Sequence, residues 1–177
     1  MKIFVVGAAK VGKSSVARML GDCLSLPVGE TGDVLIEQLA RVNAGRAAAR
    51  CDGQTLKNWF LKIMCRKDSY RSQLAALGDL MTAIDPRCLV WKCAESAKII
   101  VGVRRRREVI PFVLKGAERK NIWIKVRGPQ RGNITPDVFE LAPYDFDYEV
   151  NNFGDLTWLK KNVVELAAKI AGRMQCA

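Results

Sequence analysis

The stretch Val5–Ala17 reads VVGAAKVGKSSVA, and within it Gly7 to Ser14 spells G-x-x-x-x-G-K-S without a mismatch. Before it, KIFVVG is a short β-branched and aromatic run that stops at Gly7. After it, KSSVARMLGDCL places Val16, Met19, Leu20 and Leu24 at helical spacing. The order is strand, loop, helix. Glycines at both ends of such a loop let the backbone turn so that successive N–H groups point inward onto phosphate oxygens. Gly7, Ala8, Ala9, Lys10, Val11, Gly12, Lys13, Ser14 and Ser15 are therefore expected to hold the phosphates of a nucleotide. Lys13 is expected to reach the β and γ phosphates and Ser14 to ligate Mg²⁺ through its hydroxyl, with the positive end of the following helix at the same point.

Beyond this loop the chain keeps alternating. LPVGETG is a second short extended piece, and DVLIEQLARV follows as a helix that Thr31 or Asp33 can cap, with Val34, Leu35, Leu39 and Val42 inward. From about Gln54 to Met81 a helical, basic middle carries Trp59, Phe60, Ile63, Leu74, Leu77 and Met81 as its apolar stripe. A short helix over DPRCLVWKCAESA leads to KIIVGV, a buried strand. RREVIPFVLKGAERK reads as a helix despite Pro111, and NIWIKVRG as a strand with Ile122, Ile124 and Val126 on one face. The loop GPQRGNITPD, the extended YDFDYEVNN, and a last helix burying Leu156, Leu159, Val163, Leu166 and Ile170 complete the chain. Such alternation implies an α/β fold of three layers, a mostly parallel sheet flanked by helices. GAAKVGK, GETGD, RRRRE and RGPQRGN, which follow strands, should then gather at one sheet edge, where such folds bind ligands.

Length and composition fit one domain over residues 1–177, 49% hydrophobic and 27% charged. No run is long enough to span a membrane, and a cytoplasmic location is expected. The six cysteines show no CxxC pair and read as reduced core thiols, and the absence of histidine leaves carboxylates, Lys and Arg to do any chemistry. Net charge is +11. Arg41 to Arg71 holds eight basic residues against two acidic ones, and Arg104 to Arg131 ten against two. Charge concentrated in this way suits a polyanionic or multiply phosphorylated partner.

Switch GTPases and motors place an acid at the end of a buried strand to organise magnesium. KIIVGV ends without one, and no guanine-reading motif is present, which favours a phosphotransferase. GAAKVGKSSVA, IIVGVRRRREV and YDFDYEVNNFGDLTWLKKNV together resemble the small nucleotide-kinase branch of the phosphate-loop proteins, which includes adenylate, thymidylate and phage deoxynucleoside monophosphate kinases. The resemblance implies a P-loop NTPase fold, ATP and Mg²⁺ as cofactors, and an acceptor pocket built from the basic helical middle. It carries over Arg104 as an acceptor-side arginine, Arg127 and Arg131 as lid arginines, and Asn151 or Asn152 as neighbours of the donor base. Arg71 is a further acceptor candidate. Asp33 stands where related small-molecule kinases carry a carboxylate that orients or deprotonates a hydroxyl. A phosphate acceptor needs no base, whereas for an alcohol Asp33 or Glu30 becomes useful. Phages that hypermodify thymidine use a kinase of this branch on 5-hydroxymethyluracil in DNA, and the basic surface favours that acceptor over a free deoxynucleotide through counterion release. A nucleic-acid-binding NTPase is the third reading. Trp59 or Phe60 could stack on an extruded base, with core packing the better expectation.

Overall fold

The computed structural model describes residues 1–8, 10–47, 53–103, 108–109, 121–129 and 146–175. Five strands, β1 (Ile3–Val6), β2 (Val28–Glu30), β3 (Ile99–Val101), β4 (Ile122–Arg127) and β5 (Tyr148–Asn151), form one sheet in the order β2-β3-β1-β4-β5. Every pairing is parallel, with Ile3 opposite Ile99 and Ile122, Val28 opposite Ile99, and Ile124 opposite Tyr148. All strands therefore exit at one edge. The connecting helices are α1 (Lys13–Leu24), α2 (Thr31–Ala47), α3 (Gly53–Cys65), α4 (Arg71–Ile84), α5 (Cys88–Ser96) and α6 (Leu156–Gln175).

β1 is central, and its four residues are fully buried because helices cover both faces. Alternation along the strands divides the core. Ile3, Val5, Ile99, Val101, Ile122, Ile124 and Val126 face Val16, Leu20, Leu159, Val163 and Ile170 of α1 and α6. Phe4, Val6, Ile100 and Trp123 face the other way onto Val90 and Cys93 of α5, with Phe4 and Trp123 stacked at 4.3 Å. A third cluster, Ile36, Leu39, Ala40, Ile63 and Leu74, with Trp59, Phe60 and Tyr70 packed on it, belongs to α2, α3 and α4 alone. Trp59 and Phe60 are core packing, as their spacing suggested.

Several inward expectations fail at particular residues. Val42 is 44% exposed, because α2 turns Ile36, Ala40 and Ala44 inward instead. Leu156 is 59% exposed: Asp155 accepts from the Trp158 amide at 2.7 Å and caps α6 there, so Leu156 lies in a first turn that overhangs the core. Cys93 is buried and Cys88 half-buried, but Cys23 and Cys65 are exposed on helix surfaces, so not all the thiols are core. Thr31 is the first residue of α2, and its hydroxyl donates to the Gly102 carbonyl at 3.1 Å. Apart from Glu108 and Val109, both buried, the helix expected over RREVIPFVLKGAERK lies outside the described residues, as do most of the loop after Pro129, Cys51 and Cys176. No described helix is long and apolar enough to cross a membrane.

Candidate functional site

The glycine loop leaves β1 at the centre of the strand-exit edge. Gly7 has φ +149°, and a Cβ there would strike the Val126 carbonyl of β4. Lys10 (φ +61°) and Gly12 (φ +92°) also take left-handed conformations, which wrap the loop back toward α1. Val11 is buried in the core and anchors the loop from inside. On the far side the Asn152 side-chain amide donates to the Val11 carbonyl at 3.0 Å, and its backbone N–H donates to the Arg127 carbonyl at 2.6 Å. Gly128 sits between these groups, where a Cβ would stand 3.0 Å from the Val11 carbonyl. The exits of β4 and β5 thus clasp the loop. At the start of α1, Gly12 has no capping side chain and the first turn holds no acidic residue, which leaves the helix amides and dipole suited to an anion. The Lys13 ammonium folds over the loop and donates to the Ala8 carbonyl at 2.5 Å.

Beside this cradle lies a charge cluster. The Ser14 hydroxyl donates to Glu30 Oε2 at 2.9 Å, and Arg18 donates to Glu30 Oε1 at 3.1 Å. Glu30 is the last residue of β2, with its side chain only 16% exposed. The acid that meets the loop serine therefore comes from β2, whereas β3 is followed by Gly102. Asp33, half-buried in the first turn of α2, is raised above the ordinary aspartate range by burial and then by the Glu30 carboxylate, while Lys67 and Arg18 pull it back down. The Cys93 thiol behind them is pushed up to about 11 by burial and by the two carboxylates, which leaves it unreactive. Gly102 (φ +95°) passes so close to Thr31 that a Cβ would collide with its hydroxyl, and this contact locks the exits of β2 and β3 together.

The loop, Ser14, Glu30 and Asp33 are thus brought to one edge, as the alternation of strands and helices implied. Other expected residues stand elsewhere. Arg127, expected in a lid, is the last residue of β4 and pairs with Glu149 at 2.6 Å. Arg71 begins α4 and pairs on the surface with Asp68 at 3.0 Å. Asn151 ends β5, lining a cavity of about 270 Å³ with Trp158 and Asn162, and it is Asn152 that touches the loop. Ala9, Arg104 and Arg131 lie outside the described residues. Arg18 was not singled out from the sequence, although at four residues from Ser14 it shares a helix face with it. Lys67 carried no local signal, because only tertiary packing brings it near Asp33.

Fit to a metal follows from the donor set. Among the described residues no group of three or more ligating side chains is assembled. A serine hydroxyl beside a single carboxylate is nevertheless the oxygen-only environment of Mg²⁺ held mainly by nucleotide phosphates and water.

A parallel sheet in this order, with a G-x-x-x-x-G-K-S loop joining its central strand to the first helix, defines a three-layer P-loop NTPase fold. No family model and no curated protein matches the chain. Among solved structures it is similar to a gluconokinase from Sinorhizobium meliloti, at 15% identity over 98% of this chain and 95% of that one, with a TM-score of 0.44. It is also similar to a sugar kinase from a Janibacter species, at 16% identity over 95% and 92%, with a TM-score of 0.40. The resemblance to the nucleotide-kinase branch rests on the sequence motifs.

Proposed function

We propose that this chain is an ATP-dependent phosphotransferase that moves the γ-phosphoryl group to a hydroxyl, and that the hydroxyl is the hydroxymethyl group of 5-hydroxymethyluracil in DNA. The observation that carries the hydroxyl reading is a pair of carboxylates: Glu30, which accepts from the loop residue Ser14, and Asp33, which feels the Glu30 charge. A nucleoside monophosphate brings its own anionic oxygen and needs no base, and these carboxylates would repel it. An alcohol needs what Asp33 offers.

In this reading the loop amides and Lys13 hold the β and γ phosphates. The acceptor oxygen attacks the γ-phosphorus, the bond from that phosphorus to the bridging oxygen of ADP breaks, and the hydroxyl proton passes to the Asp33 carboxylate. Glu30 takes the Ser14 proton in a hydrogen bond and so leaves the serine lone pairs for a cation, and Arg18 holds Glu30 in place. Mg²⁺ bound with the nucleotide would neutralise developing phosphate charge. In the same reading Arg104 serves the acceptor side and Arg131 the donor. DNA as the polymer is supported by exposed basic residues Arg41, Lys57, Lys62, Arg66, Lys67 and Arg71 along α2, α3 and α4.

The test is transfer of labelled γ-phosphate from ATP, with Mg²⁺, to duplex DNA containing 5-hydroxymethyluracil, to each free deoxynucleoside monophosphate, and to gluconate as a small free alcohol, with Lys13→Ala as control. Label on the modified duplex alone is the expected result. Label on a free monophosphate alone overturns the hydroxyl reading and leaves a nucleotide-pool kinase. Phosphate release stimulated by plain DNA, with no acceptor labelled, leaves an NTPase.

A further inference from the structure

We propose that Lys67 is the anion contact of the acceptor subsite: its ammonium holds a negatively charged group of the acceptor while the acceptor's hydroxyl faces Asp33. This rests on the phosphotransferase reading above. Lys67 lies in the turn between α3 and α4, which is shaped by hydrogen bonds from the Ser69 amide to the Arg66 carbonyl (2.9 Å) and from the Tyr70 amide to the Lys67 carbonyl (3.2 Å). Tyr70 packs on the third core cluster, so the turn is carried by the shared core of α2, α3 and α4. From there the side chain reaches back to α2, where its Nζ lies 3.4 Å from the position a Cβ on Gly32 would take. The neighbouring acid, Asp68, is turned onto Arg71 instead, and Lys67 remains exposed, with its charge bearing on Asp33.

Among the described residues, the groups facing Asp33 are Glu30 from β2, Arg18 from α1, Lys67 from the turn and the neutral Cys93 thiol from α5. Arg18 is engaged by Glu30, which leaves Lys67, among the described residues, as the cation able to take an incoming anion beside Asp33. A cation on one side and a carboxylate on the other select an acceptor carrying both a negative group and a nearby hydroxyl. A phosphodiester flanking a modified base has that chemistry, and so does the carboxylate of a small hydroxy acid.

Two readouts test the proposal. Reductive ¹³C-methylation gives each lysine an NMR signal, with Lys67 assigned by its absence in Lys67→Arg. A short oligothymidylate and gluconate are then added separately in the presence of a non-hydrolysable ATP analogue and Mg²⁺. A saturable shift of the Lys67 signal with the oligonucleotide identifies the phosphodiester, and one with gluconate identifies the carboxylate. No response to either, while the Lys13 signal responds to the ATP analogue, overturns the proposal. In the transfer assay Lys67→Ala is expected to raise acceptor KM about tenfold or more through loss of a charge-assisted hydrogen bond, with kcat within about twofold. Lys67→Arg should restore KM, and Lys160→Ala on the exposed surface of α6 should leave it unchanged. Acceptor KM within about twofold of wild type in Lys67→Ala also overturns it. A saturating Lys67 signal without transfer to any acceptor would keep the anion subsite and reject the phosphotransferase reading.

Discussion

Asp33 is held above the ordinary aspartate range first by burial and then by Glu30, and the sign of that shift makes two separate predictions. As general base it must be ionised, so the acid limb of the kcat/KM profile should lie above the normal carboxylate range. Asp33→Asn should abolish that limb and lower kcat by about 10²- to 10⁴-fold, with ATP binding retained; pH-rate profiles and nucleotide titration check both parts. For stability, the native state holds this proton more tightly than the unfolded chain. The contribution of Asp33 is therefore fully present below the ordinary aspartate value and is lost as pH rises through the raised one. Asp33→Asn should accordingly be more stable than wild type at neutral pH, with the difference vanishing on acidification, as urea melts at neutral and acid pH would show. Asn152 makes a different case. Its amide supports the Val11 carbonyl from outside, so Asn152→Ala should cost about 1 kcal/mol of stability and raise the KM for ATP, because the loop loses its clasp.

Among the elements, α6 was the most legible from its pattern. Leu159, Val163, Leu166 and Ile170 all lie inward, and only Leu156, beyond the core in the first turn, departs. Ile170 is fully buried against the sheet, and Ile170→Ala should destabilise the protein by about 2–5 kcal/mol in thermal or urea unfolding, with acceptor KM unchanged. The strands were legible for the same reason, since short β-branched runs between glycines and polar turns have few alternatives in a parallel sheet. α2 was less so. Its inward set, Ile36, Ala40 and Ala44, contains small residues whose burial follows from close approach of its neighbours and cannot be inferred from hydrophobicity along one helix.

Viewed as a whole, the molecule separates its work between a sheet edge and a helical unit. The sheet edge assembles the glycine loop with Glu30, while α2, α3, α4 and the turn between the last two share a core of their own and expose Arg41, Lys57, Lys62, Arg66, Lys67 and Arg71. Lys62 lies over the Trp59 ring at 4.3 Å, so its charge stands on a packed surface. If a DNA strand lies along this unit, KM for the modified duplex should rise steeply with salt, with a log–log slope of about 0.9 per phosphate contact. Lys57→Glu should weaken duplex use and flatten that slope. A salt-independent KM would assign the acceptor to a small molecule.

The order of elements, the phosphate loop and the sheet edge at which ligands gather were all carried by local information: the spacing of apolar residues, the two loop glycines, and the chirality that makes crossovers right-handed. The loop was legible because a backbone cradle needs its residue types consecutively. The rest of the site draws on groups distant in the chain, and no spacing rule announces them. Glu30 reaches Ser14 because β2 ends beside α1, Asn152 reaches Val11 across 141 positions, and Lys67 comes to Gly32 and Asp33 on a turn carried by a separate core. Arg127, which reads in sequence as a lid arginine, is instead taken up by Glu149 on the neighbouring strand. A side chain's charge and reach are written in its type, but the partner that uses them is chosen by packing.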